Sequence, residues 1–364
     1  MRIPGPAVVL LLVGAACSPS GAPVVTTSAA VGSAGDASAS TTSTVLAQTS
    51  SSTATTTTLP APDGAPDDVA VFTYAVVAEK QSRRLAIIDP AGPCLSSEEP
   101  CELSTVATIG LPLRPHNIAS LGSVVYATHP DAGSISRVDV LTKEVLTASV
   151  GTEPHDVKYD AQSGLLAVAD EDGRRILSVD PETLEVVGTV ELPAKPHDLT
   201  VDRGVLWVTM IGTGELARIT GDTVELVETG GLPHDLVVAG TGSVWFSNWG
   251  SDRLSIFDPI VGLAPDAPAG VGEPQHFAIA PNGVVWISDI AGDAVVGFSA
   301  EGPTTVLVGE SPHHITFAGE ILVVAVSGTG EAVFVKDGVV VARSALTPGL
   351  HGVAIVELTE QLAS

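Results

Sequence analysis

One short phrase recurs along this chain and limits what it can fold into. It reads Pro115-His116-Asn117-Ile118, then Pro154-His155-Asp156-Val157, Pro196-His197-Asp198-Leu199 and Pro233-His234-Asp235-Leu236. It continues as Pro274-Gln275-His276-Phe277, Pro312-His313-His314-Ile315 and Leu350-His351-Gly352-Val353, with steps of 37 to 42 residues. A period of that length marks one supersecondary unit repeated in an array, and about 40 residues is the length of a four-stranded propeller blade. About eleven residues after each His position comes an apolar or aromatic residue: Tyr126, Ala167, Trp207, Trp245, Trp286 and Val324. Nine residues beyond each stands another apolar residue: Ile135, Ile176, Leu216, Leu254, Val295 and Val333. Alternating runs such as Ile176 to Asp180 and Leu254 to Asp258 read as half-buried strands. Asp139, Asp180 and Asp258 end such strands with turn chemistry. The tryptophans Trp207, Trp245 and Trp286 share one register and are expected to fill the space between blades.

The two ends of the array explain its closure. Residues 76–89 match 167–180 position for position and so begin at the second strand of a unit. The segment His351 to Leu358 has a first strand and nothing after it. Six complete repeats plus one assembled from both termini predict an all-β, seven-bladed β-propeller with four-stranded blades, closed by its C-terminal strand. Pairing the ends removes the open edges of a linear array.

The propeller is expected over residues 67–360, and two other segments precede it. Residues 1–17 read as an export signal. Arg2 is the lone basic residue, and the uncharged run from Ala7 to Ala16 spans only about 15 Å as a helix, too short to cross a bilayer. The run ends Val13-Gly14-Ala15-Ala16-Cys17, which resembles the lipobox of bacterial lipoproteins. That resemblance implies lipid, palmitate included, on Cys17, and a protein anchored on the extracytoplasmic side of the cell membrane. Residues 18–66 are Ser, Thr, Ala, Gly and Pro without aromatics, a composition that stays a flexible tether of roughly 40 Å. Of the remaining cysteines, Cys94 and Cys101 lie seven positions apart in a polar stretch and suit a small disulfide-closed loop in an oxidising compartment.

The phrase Gly, Pro-His, strand, tight turn, then Trp-x-Ser/Thr resembles the YVTN and virginiamycin B lyase-like propellers. Gly272 to Pro274, Asn282-Gly283 and Trp286-Ile-Ser-Asp289 carry that likeness. Propellers of this kind serve as lyases, binding platforms and surface proteins. For the lyase, the resemblance implies His and acidic residues at one mouth that hold a divalent cation and open a lactone by elimination. The Trp-x-Thr-Glu pattern of that family is not kept: Met210, Asn248 and Asp289 follow the third position here. The only Glu in that register is Glu79, in a repeat without the Trp. The ring of histidines also resembles that around the copper cluster of nitrous oxide reductase, without the cupredoxin sequence that accompanies it there.

The His position precedes the innermost strand of each blade. It therefore gathers His116, His155, His197, His234, His313 and His351 at one channel mouth, with Gln275 or His276 completing the circle. The second-strand ends, Glu79, His129, Asp170, Met210, Asn248, Asp289 and Ser327, are expected at the same face, and Trp249 beside them as a ligand contact. Converging neutral imidazoles suit copper or zinc and are poor ligands for calcium or magnesium. Asp156, Asp198 and Asp235, one position on, point the opposite way on a regular strand and would accept hydrogen bonds from neighbouring imidazoles. The formal charge of −26, from 42 acidic against 16 basic residues, repels nucleic acid and favours cations. The main expectation is a monomeric, non-enzymatic binding propeller holding a metal ion, small molecule or protein at the His-lined mouth. An enzyme using that mouth, a lyase or metal-dependent hydrolase, competes with it, as does a protein-interaction scaffold with structural histidines.

Overall fold

A computed structural model describes residues 70–91, 100–249, 253–264 and 270–362. The export segment, Cys17, the tether and Cys94 lie outside the described residues; Cys101 is disulfide-bonded.

The strands form seven sheets, each built on four antiparallel strands. Blade 1 combines Leu350–Leu358 with Phe72–Glu79, Arg84–Ile88 and Thr105–Gly110, so the C-terminal strand supplies the inner edge. Its pairing with the first strand runs from Phe72 opposite Leu358 to Glu79 opposite Leu350. Blades 2 to 7 begin at Ile118–Leu121, Pro154–Asp160, Lys195–Asp202, Pro233–Val238, Pro274–Ile279 and Pro312–Ala318. Blade 7 gains a fifth, parallel strand, Cys101–Glu102, beside its outermost strand, so a segment of blade 1 laps over its neighbour at the closure.

There is no single central core. Seven separate apolar clusters form, each between two adjacent blades, including Tyr74, Leu85 and Ile109 against Val125 and Val138 at the seam of blades 1 and 2. Because each strand buries one side chain in two toward each neighbour, a blade is apolar on both faces. The tryptophans act at these seams. Trp207 in blade 4 lies 5.8 Å from Phe257 in blade 5, and Trp245 lies 5.9 Å from Phe298 in blade 6. Trp286 covers Gly297 of its own blade, where a Cβ would come within 2.6 Å of the indole. The turn aspartates close hairpins by accepting two backbone N–H bonds each. Asp180 takes Glu182 at 2.8 Å and Thr183 at 2.9 Å, and Asp139 and Asp258 repeat the arrangement.

The departure from a regular strand falls at the recurrent phrase itself. In blade 4, Pro196 pairs with Met210 and Leu199 with Val208, so His197 and Asp198 together oppose Thr209 alone. The same two-against-one bulge holds His234-Asp235, Gln275-His276 and His313-His314. The hydroxyl of the Trp-x-Ser/Thr motif fills it. Thr209 Oγ1 accepts the Asp198 N–H at 2.9 Å and donates to the His234 carbonyl of the next blade at 2.6 Å. Thr128 does the same with Asn117 N–H and His155 carbonyl, while Ser247 and Ser288 accept the N–H of Asp235 and His276. The motif therefore satisfies backbone groups that the bulge would otherwise leave unpaired.

Candidate functional site

Through the bulge, two consecutive residues per blade reach the propeller axis in two stacked layers. The upper layer is His116, His155, His197, His234, Gln275, His313 and His351. Ring centroids lie 3.7 Å apart for His116 and His351, 4.5 Å for His116 and His155, 4.0 Å for His155 and His197, and 4.2 Å for His197 and His234. His313 and His351 are 4.4 Å apart, and Gln275 Nε2 stands 3.1 Å from His234 Nδ1. Gln275 rather than His276 thus completes the circle. The lower layer is Asn117, Asp156, Asp198, Asp235, His276, His314 and Gly352. Only glycine fits the last place, because a Cβ there would sit 2.7 Å from the Ile118 nitrogen.

Each layer floors a different cavity. On the upper face a cavity of about 300 Å³ is lined by His116, His155 and His197 with Lys80, Arg114, Glu153, Glu171 and Trp249. Trp249, 56% exposed, stands edge-on to His234 at 4.5 Å. Below, an axial cavity of about 540 Å³ is lined by Asn117, Asp156, Lys158, His276, His314 and apolar strand residues.

The two halves of the double ring differ in charge. On the side of blades 3 to 5, carboxylates engage the imidazoles. His197 Nδ1 lies 2.9 Å from Glu171, and His234 Nδ1 lies 3.2 Å from Asp235. Burial pulls His234 down, but the Asp235 charge and hydrogen bond outweigh it and hold the imidazole above its ordinary value. Burial raises Asp235 and Glu171, yet the facing histidines bring both below the usual carboxylate range. Beneath them Lys158 donates to both oxygens of Asp156, at 2.8 and 2.9 Å, and stands 3.8 Å from Asp198. Burial, then the Asp156 charge, holds Asp198 well above the usual range. On the side of blades 6, 7, 1 and 2, among the described residues, no carboxylate is hydrogen-bonded to a ring imidazole. Burial first, and then the neighbouring imidazoles, push His314 and His351 well below their ordinary value. His313 falls to about 4 by burial. His155, at the junction, falls to about 4 by burial and the His197 charge.

Asp156 and Asp198 differ from their sequence expectation. They take backbone N–H groups of the next blade, Leu199 at 3.2 Å and Leu236 at 3.0 Å, rather than neighbouring imidazoles. Only Asp235 meets an imidazole, that of its own preceding residue. The second-strand ends hold the loop that leads into their own blade. Asp170 accepts Thr152 N–H at 2.8 Å, Glu153 N–H at 2.7 Å and Arg175 Nε at 2.8 Å. Glu79 is bound in the same way by Arg84 and Thr347 N–H, and Asp289 by Gly272 at 3.0 Å and Glu273 at 2.9 Å. Asn248 faces the equivalent Gly231, and His129 reaches the Arg114 carbonyl at 2.8 Å. Glu171, Lys158 and His314 are the polar groups that the repeat register did not single out. Glu171 directly follows a second-strand end, and His314 directly follows a ring member.

Seven four-stranded blades around a polar double ring define a seven-bladed β-propeller with a histidine-lined mouth. Solved structures agree with the fold. The chain is 28% identical over 185 residues to virginiamycin B lyase from Nocardia farcinica, a match covering 48% of this chain and 63% of the relative. Among solved structures, virginiamycin B lyase from Staphylococcus aureus superposes with a TM-score of 0.57 at 16% identity, over 65% of this chain and 87% of that one. A protein of unknown function from Desulfotomaculum acetoxidans gives 0.61 at 15% identity, over 78% and 98%. No family model matches the chain. The protein is a β-propeller related to virginiamycin B lyase.

Proposed function

We propose that this protein is a lipid-anchored, extracytoplasmic binding propeller whose ligand, a transition-metal ion, is held at the histidine-lined mouth. One observation carries the reading: six imidazoles of the upper layer form a nearly continuous arc with centroids 3.7 to 4.5 Å apart, and most are held neutral. Packing unprotonated imidazoles around a narrow axis is costly without a shared partner, and a borderline cation is the partner for which neutral imidazole is best suited. Anchoring rests on the Cys17 motif and the tether. The test is calorimetric titration of the chelator-treated protein with zinc and with copper, alongside palmitate labelling of the wild type and Cys17→Ala. Absence of heat with both ions would overturn the binding reading, and unchanged labelling would overturn the anchor.

A second reading is favoured by the match to the Nocardia farcinica lyase and by one contact. His197 and Glu171, 2.9 Å apart at the floor of the upper cavity beside Trp249, form an acid–base pair in reach of a bound molecule. Glu79, the only Glu in the lyase register, is buried against Arg84 and Thr347 and does not face that cavity. Incubation with virginiamycin B distinguishes the readings, because elimination yields a linear isomer of unchanged mass. Its absence leaves the binding role.

A further inference from the structure

We infer that the metal site is a three-imidazole centre displaced from the axis, built by His313, His314 and His351, and that it takes one zinc-class cation with a fourth position open. This rests on the reading that the mouth binds a metal ion, and it names which nitrogens do so. His314 carries the inference, although it lies outside the upper ring. The blade 7 bulge sends two consecutive imidazoles to the axis, and blade 7 alone has histidine in both layers. Their Nδ1 atoms stand 2.8 Å apart, and one ligand atom from each of the three residues falls within 4.8 Å of the others. Tetrahedral zinc at about 2.0–2.1 Å from each nitrogen holds its ligands about 3.3 Å apart, so small side-chain rotations suffice.

Unsatisfied hydrogen-bonding capacity points to the same place. Among the described residues, the buried imidazole nitrogens without a partner are Nδ1 of His351, His276 and His116. All three belong to this half of the double ring, with His276 4.2 Å from His314 and His116 3.7 Å from His351. On the opposite half, Nδ1 of His155, His197 and His234 each has a partner: a backbone carbonyl, Glu171, and Asp235 with Gln275. Buried polar groups in native proteins are almost always satisfied, so a cluster of orphaned nitrogens calls for a ligand. The donor set selects it. Other groupings of possible ligands on the ring include a carboxylate, Glu171 or Asp235, already bonded to an imidazole. The His313, His314 and His351 grouping is all neutral nitrogen, which suits zinc and excludes calcium and magnesium.

The test compares the full-length wild type, His314→Gln and His155→Gln, each stripped with chelator and titrated with zinc chloride alone. One zinc per chain is expected for the wild type. Affinity should fall at least about 100-fold in His314→Gln, beyond the loss from a missing outer partner, and change less than about 3-fold in His155→Gln. Equal losses in the two variants would overturn the off-axis site in favour of a shared ring. A wild type that binds no zinc would also overturn the centre, and the metal reading itself falls if copper gives no heat either. Should His314→Gln fail to fold, the anomalous zinc peak in wild-type crystals decides: a peak bonded to His314 supports the centre, and one beside Glu171 refutes it.

Discussion

Lowering the pH of the metal-free protein should weaken it through the buried imidazoles of the ring, against an opposing slope from Asp198, whose raised carboxyl takes up a proton as the pH falls. His155 and His313 are both held at about 4 against an ordinary 6.5. Between those values the unfolded chain carries protons that the folded chain refuses, so stability declines as pH falls through 6.5 and the decline ends near 4. One such group contributes up to about 1.4 kcal/mol per pH unit, hence about 2.2 kcal/mol between pH 6.5 and 4.5 once partial protonation at each end is counted. Each imidazole is lowered partly by other histidines, so the two together are worth less than twice that, about 4 kcal/mol. His234 shifts the other way. Its contribution is present in full below 6.5 and is lost as the pH rises from there through its raised value, so it adds little slope in this window. Glu171 and Asp235 are depressed, and their contributions disappear only as pH falls through their lowered values, beneath the window. The assay is urea unfolding in chelator at pH 6.5, 5.5 and 4.5 for the wild type and for His155→Gln/His313→Gln. With an m-value of about 3 kcal/mol/M, the wild-type midpoint should drop about 1.3 M more than that of the variant. Equal slopes in the wild type and the variant, to both of which Asp198 is common, would refute the account of buried neutral imidazoles.

Three further outcomes follow from the fold. Thr209→Val keeps the shape but strands the Asp198 N–H and the His234 carbonyl at the bulge; a loss of about 1–3 kcal/mol is expected in urea unfolding, and a change under about 0.5 kcal/mol would discount the motif's role. Gly297→Ala drives a methyl into Trp286, so it should cost about 1–3 kcal/mol and be largely relieved by adding Trp286→Leu; additive losses in that double-mutant cycle would contradict the contact. Removing residues 350–364 deletes the inner strand of blade 1 and exposes Phe72–Glu79 as an open edge, so the truncated protein should aggregate rather than unfold cooperatively; a soluble, cooperative truncation would argue against closure by that strand.

Much of this molecule is written locally. The Pro-His phrase, the apolar residue about eleven positions later, and the turn aspartates recur with each blade because strands and tight turns are specified by neighbouring residues. A fixed repeat then forces equal units around one axis. Closure was legible for the same reason, since residues 76–89 match the middle of a complete repeat and residues 351–358 match its start. The destinations of individual polar side chains were not. Strand alternation places Asp156, Asp198 and His314 on the face opposite the ring, but the bulge turns both members of each pair toward the axis and stacks them in two layers. A bulge depends on a hydroxyl from the adjacent strand and a carbonyl from the next blade, and neither is near in sequence.

The same distance limits the reading of the acids. Asp170, Asp289 and Glu79 occupy a register at the mouth end of their strands, yet their oxygens are taken by N–H groups of the loops leading into their own blades. Glu171, one residue beyond, is the acid that faces the histidines. Sequence alone determined the seven-bladed ring and the six histidines of its upper circle, leaving Gln275 or His276 open for the seventh place, because repetition encodes symmetry. Tertiary structure alone decided that the circle divides into a carboxylate-bonded half and a bare imidazole half, because that division depends on contacts between blades, where each copy of the repeat meets a neighbour that is not identical to it.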